Sequence, residues 1–208
     1  MSRYIESVCK LCRREQTKLF LKGDKCYTKC VLEKRPTTPG MAKPQRGKPS
    51  AYAIRLREKQ KLRRLIQMNE KPFEQLVNKA SKAREASGDH LLRALELRLD
   101  NIVRRMGVAT SLKTARQLVL HGHVKVNGRG VNVPSFACSI GDVISISPKL
   151  KENVGVKLSL DTAKRLNQRP SFGEWKEEDL SFKLLRNPER AEMSFPVTDQ
   201  LIIEYYSK

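Results

Sequence analysis

Four of the five cysteines fall within the first 30 residues, where they form two close pairs. Cys9 and Cys12 make one pair and Cys26 and Cys30 the other, with the spacing C-x2-C-x13-C-x3-C. Two such pairs can hold a tetrahedral ion from two sides, and four thiolates suit Zn²⁺. Residues 1–33 otherwise contain few large apolar side chains and need a staple to fold. The pattern therefore predicts one structural zinc ion bound by these four cysteines.

Three other fates of these thiols stay open from the sequence: two disulfides, an iron–sulfur cluster, or a metal site that no longer binds an ion. The chain begins MSRYIESVCKLCRRE, without the apolar stretch of a secretory signal, so a cytoplasmic location with reduced thiols is expected. That expectation argues against disulfides, and the lack of a redox partner residue disfavours a cluster. Cys138 stands alone in a strand-like segment and is predicted to be a small core residue.

The charge of the chain is strongly positive and unevenly distributed. Lys and Arg number 42 against 22 Asp and Glu, which gives a formal net charge of +20. The whole excess lies in residues 1–150, whereas residues 151–208 carry equal numbers of each sign. Solubility alone usually needs a net charge of only about 2 to 8. The asymmetry therefore predicts that the first 150 residues meet a polyanion.

Residues 34–49 read KRPTTPGMAKPQRGKP, with four prolines, five basic residues and no acid. Proline removes backbone donors and restricts φ, so an extended basic arm is predicted. Its candidate anion contacts are Lys43, Arg46 and Lys48.

Three helices are predicted to follow this arm. Ser50 can cap the first, and Pro72 opens the second in its first turn. The third follows a break at Ser87-Gly88 and runs from a cap at Asp89 to Gly107. The candidate anion contacts on the first helix are the four arginines Arg55, Arg57, Arg63 and Arg64.

The pattern changes from helix to strand beyond Ser111. A short helix follows Ser111, and HVKVNGRGVNVPS then alternates with a period of two around Asn127-Gly128, a strong hairpin signal. GDVISIS supplies another short strand after Gly141-Asp142. Helices combined with short strands of this kind predict an α+β fold.

A cluster of basic and imidazole side chains without any acid spans this helix and hairpin. Its members are Lys113, Arg116, His121, His123, Lys125 and Arg129. Positions three apart share one face of a helix, and a tight turn projects the side chains that flank it. Apart from Phe136 the stretch lacks aromatic residues for base stacking. Folded or double-helical RNA, held through phosphates and 2′-hydroxyls, is therefore the predicted partner.

Two pairs of residues near this cluster have alternative roles. Arg104 and Arg105 can extend the RNA-binding surface, or they can complement the macrodipole at a helix C-terminus. His121 and His123 can contact RNA or form hydrogen bonds at a helix end. The sequence alone leaves both alternatives open.

Several segments resemble a known family. ELRLDNIVRRMG (96–107), ARQLVLHGHVKVNG (115–128), VPS (133–135) and GDVISI (141–146) resemble the S-four RNA-binding domain. The N-terminal cysteines, SAYAIRLREKQKLRRL (50–65) and the terminal EYYSK extend the likeness. The whole chain resembles bacterial members of the S-four ribosomal protein family.

The resemblance implies a fold and a division into parts. A small αL-type RNA-binding domain, two helices on a short twisted sheet, is inserted into a discontinuous helical domain. Four parts are expected: a zinc-binding N-terminal segment or knuckle at 1–33, the basic Pro-rich arm at 34–49, a helical domain at 50–90 plus 180–208, and the S-four domain with its extension at 91–179.

The resemblance also implies a function. Family members are structural constituents of the small ribosomal subunit that bind its rRNA directly and nucleate assembly of the 5′ domain. They touch small-subunit protein five beside the path where mRNA enters, so these two molecules are further expected partners, with a contribution to translational accuracy. The C-terminal stretch, neutral and apolar, is expected to pack back on the helices at 50–86.

Two rival functions find less support in the sequence. The S-four domain also occurs in pseudouridine synthases and tyrosyl-tRNA synthetases, but the chain offers no phosphate-binding glycine loop and no nucleophile with a matched base. A DNA-binding zinc-finger regulator lacks support because no C2H2 spacing or basic zipper is present. No apolar run approaches the roughly 18 residues that span a bilayer. Neither an enzyme, a small-molecule substrate nor a membrane partner is therefore expected.

Overall fold

The computed structural model describes residues 4–40, 48–166 and 169–207. The chain divides into two compact units: unit 1 contains Met1–Leu92 with Phe195–Lys208, and unit 2 contains Arg93–Ser194. Among the described residues, no helix is long and apolar enough to cross a bilayer. The helices are α1 (Cys9–Glu15), α2 (Lys25–Thr28), α3 (Val31–Lys34), α4 (Ala51–Leu65), α5 (Glu70–Ser81), α6 (Ser87–Glu96), α7 (Leu99–Arg105), α8 (Leu112–Leu120), α9 (Val154–Arg165) and α10 (Asp199–Tyr206). The strands are β1 (Val124–Val126), β2 (Arg129–Gly130), β3 (Val143–Ile146), β4 (Gly173–Lys176) and β5 (Ser181–Leu184).

The N-terminal helices of unit 1 surround a small apolar cluster. Val8, Cys12, Leu19 and Leu21 are buried in it, and Leu65 of α4 packs against them. The sequence predicts no core for residues 1–33 without a staple. The structure differs because α4, distant in sequence, supplies the apolar surface that these residues lack.

The rest of unit 1 is helical. Ser50 caps α4 as predicted, with its Oγ accepting a hydrogen bond from the Ala53 N–H at 3.2 Å. The C-terminal helix α10 packs against α4 and α5, and Ile202 is completely buried. The ring of Tyr206 lies 6.2 Å from that of Phe73 in α5. The prediction that the C-terminal stretch packs back on the helices at 50–86 is confirmed.

The predicted helix from Asp89 to Gly107 is wrong as a single element. Helix α6 begins at Ser87 and ends at Glu96, and α7 starts at Leu99 after an extended Arg98. The N–H groups of Leu99 and Asp100 donate to the carbonyls of Phe136 and Pro134, at 2.9 and 3.1 Å. A loop distant in sequence therefore accepts hydrogen bonds from the first backbone donors of α7. The helix is interrupted here although no glycine or proline stands at the interruption.

Unit 2 contains a five-stranded antiparallel sheet with the order β2-β1-β3-β5-β4. The hairpin predicted at Asn127-Gly128 is confirmed, since Val126 pairs with Arg129 across it. Helices and sheet enclose an apolar core that includes Ile102, Val119, Ile144 and Phe182. The chain is thus a mixed helical and antiparallel-sheet protein, which agrees with the predicted α+β class.

Two strands were not predicted. Trp175 lies in β4, and β5 pairs with both β3 and β4. These pairings place residues 181–194 in unit 2, whereas the sequence assigned residues 180–208 to the helical domain. The return to unit 1 occurs at Phe195. Helix α9 begins at Val154 because Asn153 caps it through the N–H groups of Gly155 and Val156.

Cys138 is buried in the core of unit 2, as predicted. Burial raises the pKa of its thiol to about 12, with smaller contributions from the charges of Asp142 and Asp100. The thiol therefore stays protonated and behaves as a small apolar side chain.

Candidate nucleic-acid interface

Exposed basic and imidazole side chains lie on α8 and on both sides of the β1–β2 hairpin. Together we call them the α8–hairpin face, and its members are Lys113, His121, Lys125 and Arg129. Leu112, Ala115 and Val119 of α8 are buried, which turns Lys113 outward. In β1 the buried Val124 and Val126 flank Lys125, so the alternation of the strand turns it outward as well. The periodicities of the helix and of the strand therefore expose these predicted residues to solvent.

The tip of the hairpin is rigid. Asn127 and Gly128 have φ values of 50° and 78°, the left-handed pair that a two-residue type I′ turn requires. The Asn127 side chain donates to Asp142 Oδ1 at 2.8 Å and accepts from the Val143 N–H at 2.9 Å. The turn is thereby tied to β3, and the flanking Lys125 and Arg129 extend from a fixed base.

The two histidines lie close to each other at the end of α8. Their ring centroids are 6.2 Å apart, with His121 exposed and His123 half-buried. The His123 carbonyl accepts from the Ser147 N–H at 2.9 Å. His121 thus joins the face, whereas the half-buried His123 is tied through its carbonyl to the residue that follows β3.

Arg116 lies beside a buried carboxylate. Its Nε is 2.8 Å from Asp100 Oδ2, and Asp100 is only 1% exposed. Arg98 donates to the same carboxylate through Nε at 3.1 Å and Nη2 at 2.9 Å. Two guanidiniums therefore compensate one buried charge and connect α8 to the start of α7.

Arg104 and Arg105 also make internal contacts. Arg104 Nη2 donates to Asn101 Oδ1 at 3.1 Å and to Ser194 Oγ at 3.2 Å. Arg105 Nε lies 3.1 Å from Glu96 Oε1, a carboxylate with no exposed area. Both arginines therefore hold unit 2 together in addition to their position at the end of α7. The local sequence does not identify Asp100 as the partner of Arg116 or Glu96 as the partner of Arg105, beyond showing that acids occur in an otherwise apolar pattern.

The four arginines predicted on α4 all form ion pairs within unit 1. Arg57 and Arg64 contact the buried Glu15, Arg57 with Nη1 at 3.4 Å from Oε1. Burial raises the pKa of Glu15, although Arg64 and Arg57 act against it. The other two pairs are Arg55 with Glu204, at 2.7 Å, and Arg63 with Glu70, at 3.4 Å.

The basic arm is described only in part. Lys48 is exposed just before α4. Lys43 and Arg46 lie outside the described residues, so their predicted RNA contacts stay predictions.

The four N-terminal cysteines lie in one region but do not form a compact cluster. Cys9 and Cys12 belong to α1, Cys26 belongs to α2, and Cys30 directly precedes α3. Within the described parts of the chain, no three His, Cys, Asp or Glu side chains lie close enough to hold a metal ion. The thiols of Cys9, Cys26 and Cys30 are nevertheless near enough to raise the pKa of Cys12, after burial, the largest cause.

Backbone N–H groups point at two of the sulfurs. The Lys22 N–H donates to Cys26 Sγ at 3.3 Å, and the Leu19 N–H forms a hydrogen bond to the Cys12 thiol. Such donors favour the thiolate that a metal requires, while burial raises the pKa of both thiols. The donor chemistry therefore fits zinc, although the four sulfurs are not gathered around one point.

Comparison with known proteins extends these observations. Residues 3–96 match the family described as "Ribosomal protein S4/S9 N-terminal domain", and residues 97–144 match "S4 domain". The "Small ribosomal subunit protein uS4" of Thermodesulfovibrio yellowstonii is 46% identical over 212 aligned residues, and that of Thermus thermophilus is 45% identical over 213. The "Small ribosomal subunit protein uS4A" of Symbiobacterium thermophilum is 46% identical over 209. Each alignment covers 100% of both chains.

Both family matches fall on the elements described above, the helices of unit 1 and the first helices and strands of unit 2. Full-length identity near one half, together with these two domains in this order, leaves one assignment: the chain belongs to the uS4 family of small ribosomal subunit proteins.

Proposed function

We propose that this chain is a cytoplasmic structural constituent of the bacterial small ribosomal subunit and binds its rRNA directly. The observation that carries the proposal is the α8–hairpin face. Within the described residues, no carboxylate lies within ion-pair distance of Lys113, Lys125 or Arg129, and all three are exposed on rigid elements. A fixed surface of uncompensated cations without aromatic platforms suits phosphates better than splayed bases.

The finer roles are part of the same proposal. An early place in assembly, on the 5′ domain of the rRNA, agrees with a net charge of +20 and with two units that each carry basic residues. Contacts with small-subunit protein five and with mRNA where it enters the subunit, and a contribution to accuracy, rest on membership in the uS4 family.

Filter binding to a 5′-domain rRNA fragment at several salt concentrations tests the RNA proposal. The double variant Lys113→Gln/Arg129→Gln should reduce the slope of log affinity against log salt by about two units, one for each lost phosphate contact. A matched control, Lys157→Gln/Arg165→Gln, removes the same charges from exposed positions on α9. Equal losses from the two double variants would show that net charge, and not this face, determines binding.

We also propose that Cys9, Cys12, Cys26 and Cys30 bind one structural zinc ion. The support is their spacing, their common region and the backbone donors on Cys12 and Cys26. Metal binding would release the protons that the buried thiols hold, and it would draw the four sulfurs together.

Elemental analysis of the purified chain tests the zinc proposal, with an expected content near one equivalent. Cys26→Ser should lower the content and expose the N-terminal segment to protease, while Cys138→Ser should leave the content unchanged. Zinc well below half an equivalent, together with four titratable N-terminal thiols, would refute the site.

A further inference from the structure

The sheet of unit 2 ends at β4, which pairs with β5 on one side only. The Leu185 N–H donates to the Phe172 carbonyl at 3.1 Å, one position before the registered pair of Gly173 with Leu184. Hydrogen-bonded and non-hydrogen-bonded pairs alternate along antiparallel strands. Gly173 and Trp175, one and three positions further along, therefore direct their backbone N–H and C=O groups away from β5.

The backbone of Leu184 supports the same alternation. Its N–H donates to the Asp142 carbonyl at 3.0 Å, and its carbonyl accepts from the Gly141 N–H at 2.8 Å, both on the side of β3. Neither group is directed to β4, so the opposite residue, Gly173, has no backbone bond to β5. Among the residues that the structure describes, no hydrogen bond outside the sheet reaches the backbone of Gly173 or Trp175. Four backbone groups on this edge are therefore available to an added strand.

The opposite edge of the sheet is a poorer place for an added strand. It is formed by β2, which has two residues. Strand β4 has four residues and contains no proline. Natural proteins often protect sheet edges with proline, bulges or charged side chains. The charged residues of β4, Glu174 and Lys176, leave its backbone open but restrict which segments can pair with it.

The side chains along this edge and its turn are mainly acidic. Four exposed acids lie on β4 or in the turn to β5: Glu174, Glu177, Glu178 and Asp179. Lys164 of α9 contacts Glu177. No cation lies within ion-pair distance of the other three acids in the described parts of the chain. The edge and its turn are thus rich in unpaired acids, in a chain whose net charge is +20.

The cations near this edge leave those three carboxylates free. Lys151 donates to the backbone carbonyl of Glu178. The guanidinium of Arg169 stacks on the Trp175 ring, 4.9 Å from its centroid. Lys176 and Lys183 are exposed on β4 and β5. Because charges are screened over about 8 Å at physiological ionic strength, the local acids decide what a short segment meets here.

The alternation of β4 defines the chemistry of a matching strand. Glu174 and Lys176 are exposed, whereas Trp175 between them is partly buried against the core of unit 2. Side chains of neighbouring strands meet on the same face of a sheet, and opposite charges across strands are favourable. A matching strand therefore has a basic residue beside Glu174 and an apolar residue beside Trp175. RNA phosphates are repelled by the same acids.

We propose that the open edge of β4 accepts an extended basic segment of a partner protein as a sixth strand of the sheet. The segment alternates lysine or arginine with apolar residues and pairs its backbone with Gly173 and Trp175. Strand addition of this kind takes affinity from main-chain hydrogen bonds and specificity from alternate side chains. The inference goes beyond rRNA binding and uses no residue of the α8–hairpin face.

The test titrates the full ¹⁵N-labelled chain with a heptapeptide of alternating lysine and valine and follows amide hydrogen exchange by NMR. At saturation, exchange of the Gly173 and Trp175 amides should slow by about tenfold, because both gain an acceptor. The Glu174 and Lys176 amides, which face β5, should change little. A heptapeptide of alternating glutamate and valine, and a lysine–valine peptide methylated on every backbone nitrogen, should both leave the Gly173 and Trp175 amides unchanged.

Variants of the chain test the charge requirement. Glu178→Gln/Asp179→Asn should weaken binding of the lysine–valine peptide by about fivefold, since two exposed charge pairs are lost. Glu74→Gln/Glu85→Gln removes two exposed acids from unit 1 as the matched control and should bind like wild type. Glu174→Gln alters β4 without touching the turn and should weaken binding in the same direction. Thermal melting of each variant identifies any loss of folding.

Other results would overturn the inference. Unchanged exchange of the Gly173 and Trp175 amides at saturating lysine–valine peptide refutes strand addition, as does equal binding of the fully methylated peptide. Equal weakening by the edge variant and by the unit 1 control refutes the charge requirement. A lower salt slope of rRNA binding in Glu178→Gln/Asp179→Asn would assign the edge to RNA instead. Intact rRNA binding by wild type throughout separates these failures from failure of the proposed function.

Discussion

Arg116 on α8 and Asp100 in the first turn of α7 form an ion pair, with Nε 2.8 Å from Oδ2. Asp100 lies near the helix N-terminus, where the macrodipole also favours a carboxylate. Arg98 occupies the other side of the same group. The pair fixes α8, and therefore Lys113, relative to the α7 helix. A residue predicted from the sequence as an RNA contact thus has a structural partner on a neighbouring element.

Arg116→Ala should therefore reduce stability. We expect a loss of about 1.5–3 kcal/mol in the free energy of unfolding, because a buried carboxylate loses one of its two charged donors. Lys113→Ala, on the same helix but exposed, should change stability by less than about 0.5 kcal/mol and lower the salt slope of rRNA binding by about one unit. Urea titration and salt-dependent binding measure both quantities. A stable Arg116→Ala variant with a reduced slope would show that Arg116 contacts RNA instead.

Tyr206 should stabilise unit 1 through Glu70. Its hydroxyl donates to Glu70 Oε1 at 2.7 Å, and Lys59 Nζ, almost fully buried, contacts the same atom at 2.6 Å. Burial alone would raise the pKa of Glu70, but these hydrogen bonds outweigh it and the pKa lies below its ordinary value.

We expect Tyr206→Phe to cost about 1.5 kcal/mol of unfolding free energy, since the ring remains and the charged hydrogen bond is lost. Deletion of residues 198–208 should cost more, because Ile202 and the Arg55–Glu204 ion pair are also removed. The salt slope of rRNA binding should stay the same for Tyr206→Phe. Denaturation and binding measured on one preparation decide this, and a changed slope without a change in stability would place the tail on RNA.

Glu192 should make the stability of unit 2 depend on acid pH. Arg186 donates to its two oxygens at 2.7 and 2.6 Å, and the Ser171 hydroxyl and the Glu189 N–H donate as well. These bonds, that of Arg186 above all, lower the pKa of Glu192 to about 2. The unfolded value is about 4.3.

Because the folded pKa is the lower one, the stabilisation is complete above about pH 4.3 and is lost as the pH falls toward 2. Glu192→Gln should be less stable than wild type at neutral pH and should lose less stability across that window. Unfolding free energies measured between pH 2 and 7 give the comparison, and parallel curves for the two proteins would contradict the assignment.

The features predicted from the sequence are those with a local cause. Ser50 and Ser111 both cap helices, because the hydroxyl of each accepts a hydrogen bond from the backbone N–H three residues further along the chain. Asn127-Gly128 forms the expected turn. The family and its ribosomal rather than enzymatic nature were also predictable, and the full-length matches confirm both.

The features that escaped prediction depend on distant residues. At the break before α7, the free backbone N–H groups donate to the carbonyls of Pro134 and Phe136, which are about 35 residues away in sequence. Strands β4 and β5 are only four residues each, and their pairing with β3 decides that they are strands. The arginines of α4 and α7 look like solvent-facing cations in the sequence, since their acidic partners belong to other elements.

Two glycines of the hairpin offer a test of how far its rigid turn contributes to RNA binding. Gly128 has a φ of 78°, which an L-residue adopts at a cost, whereas Gly130 lies outside the positive-φ region. Nothing lies within 4 Å of a methyl group added at either position, so a difference between them comes from the backbone alone.

Gly128→Ala should lower the unfolding free energy by about 1–2 kcal/mol, and Gly130→Ala should be neutral or stabilising by up to about 1 kcal/mol. Both variants keep Lys125 and Arg129, so the number of phosphate contacts, and with it the salt slope, should stay near the wild-type value. Affinity for the rRNA fragment should nevertheless fall for Gly128→Ala, because a distorted turn no longer holds the two cations in fixed positions. Equal affinities for the two variants would show that charge, without the fixed turn, is sufficient for binding at this hairpin.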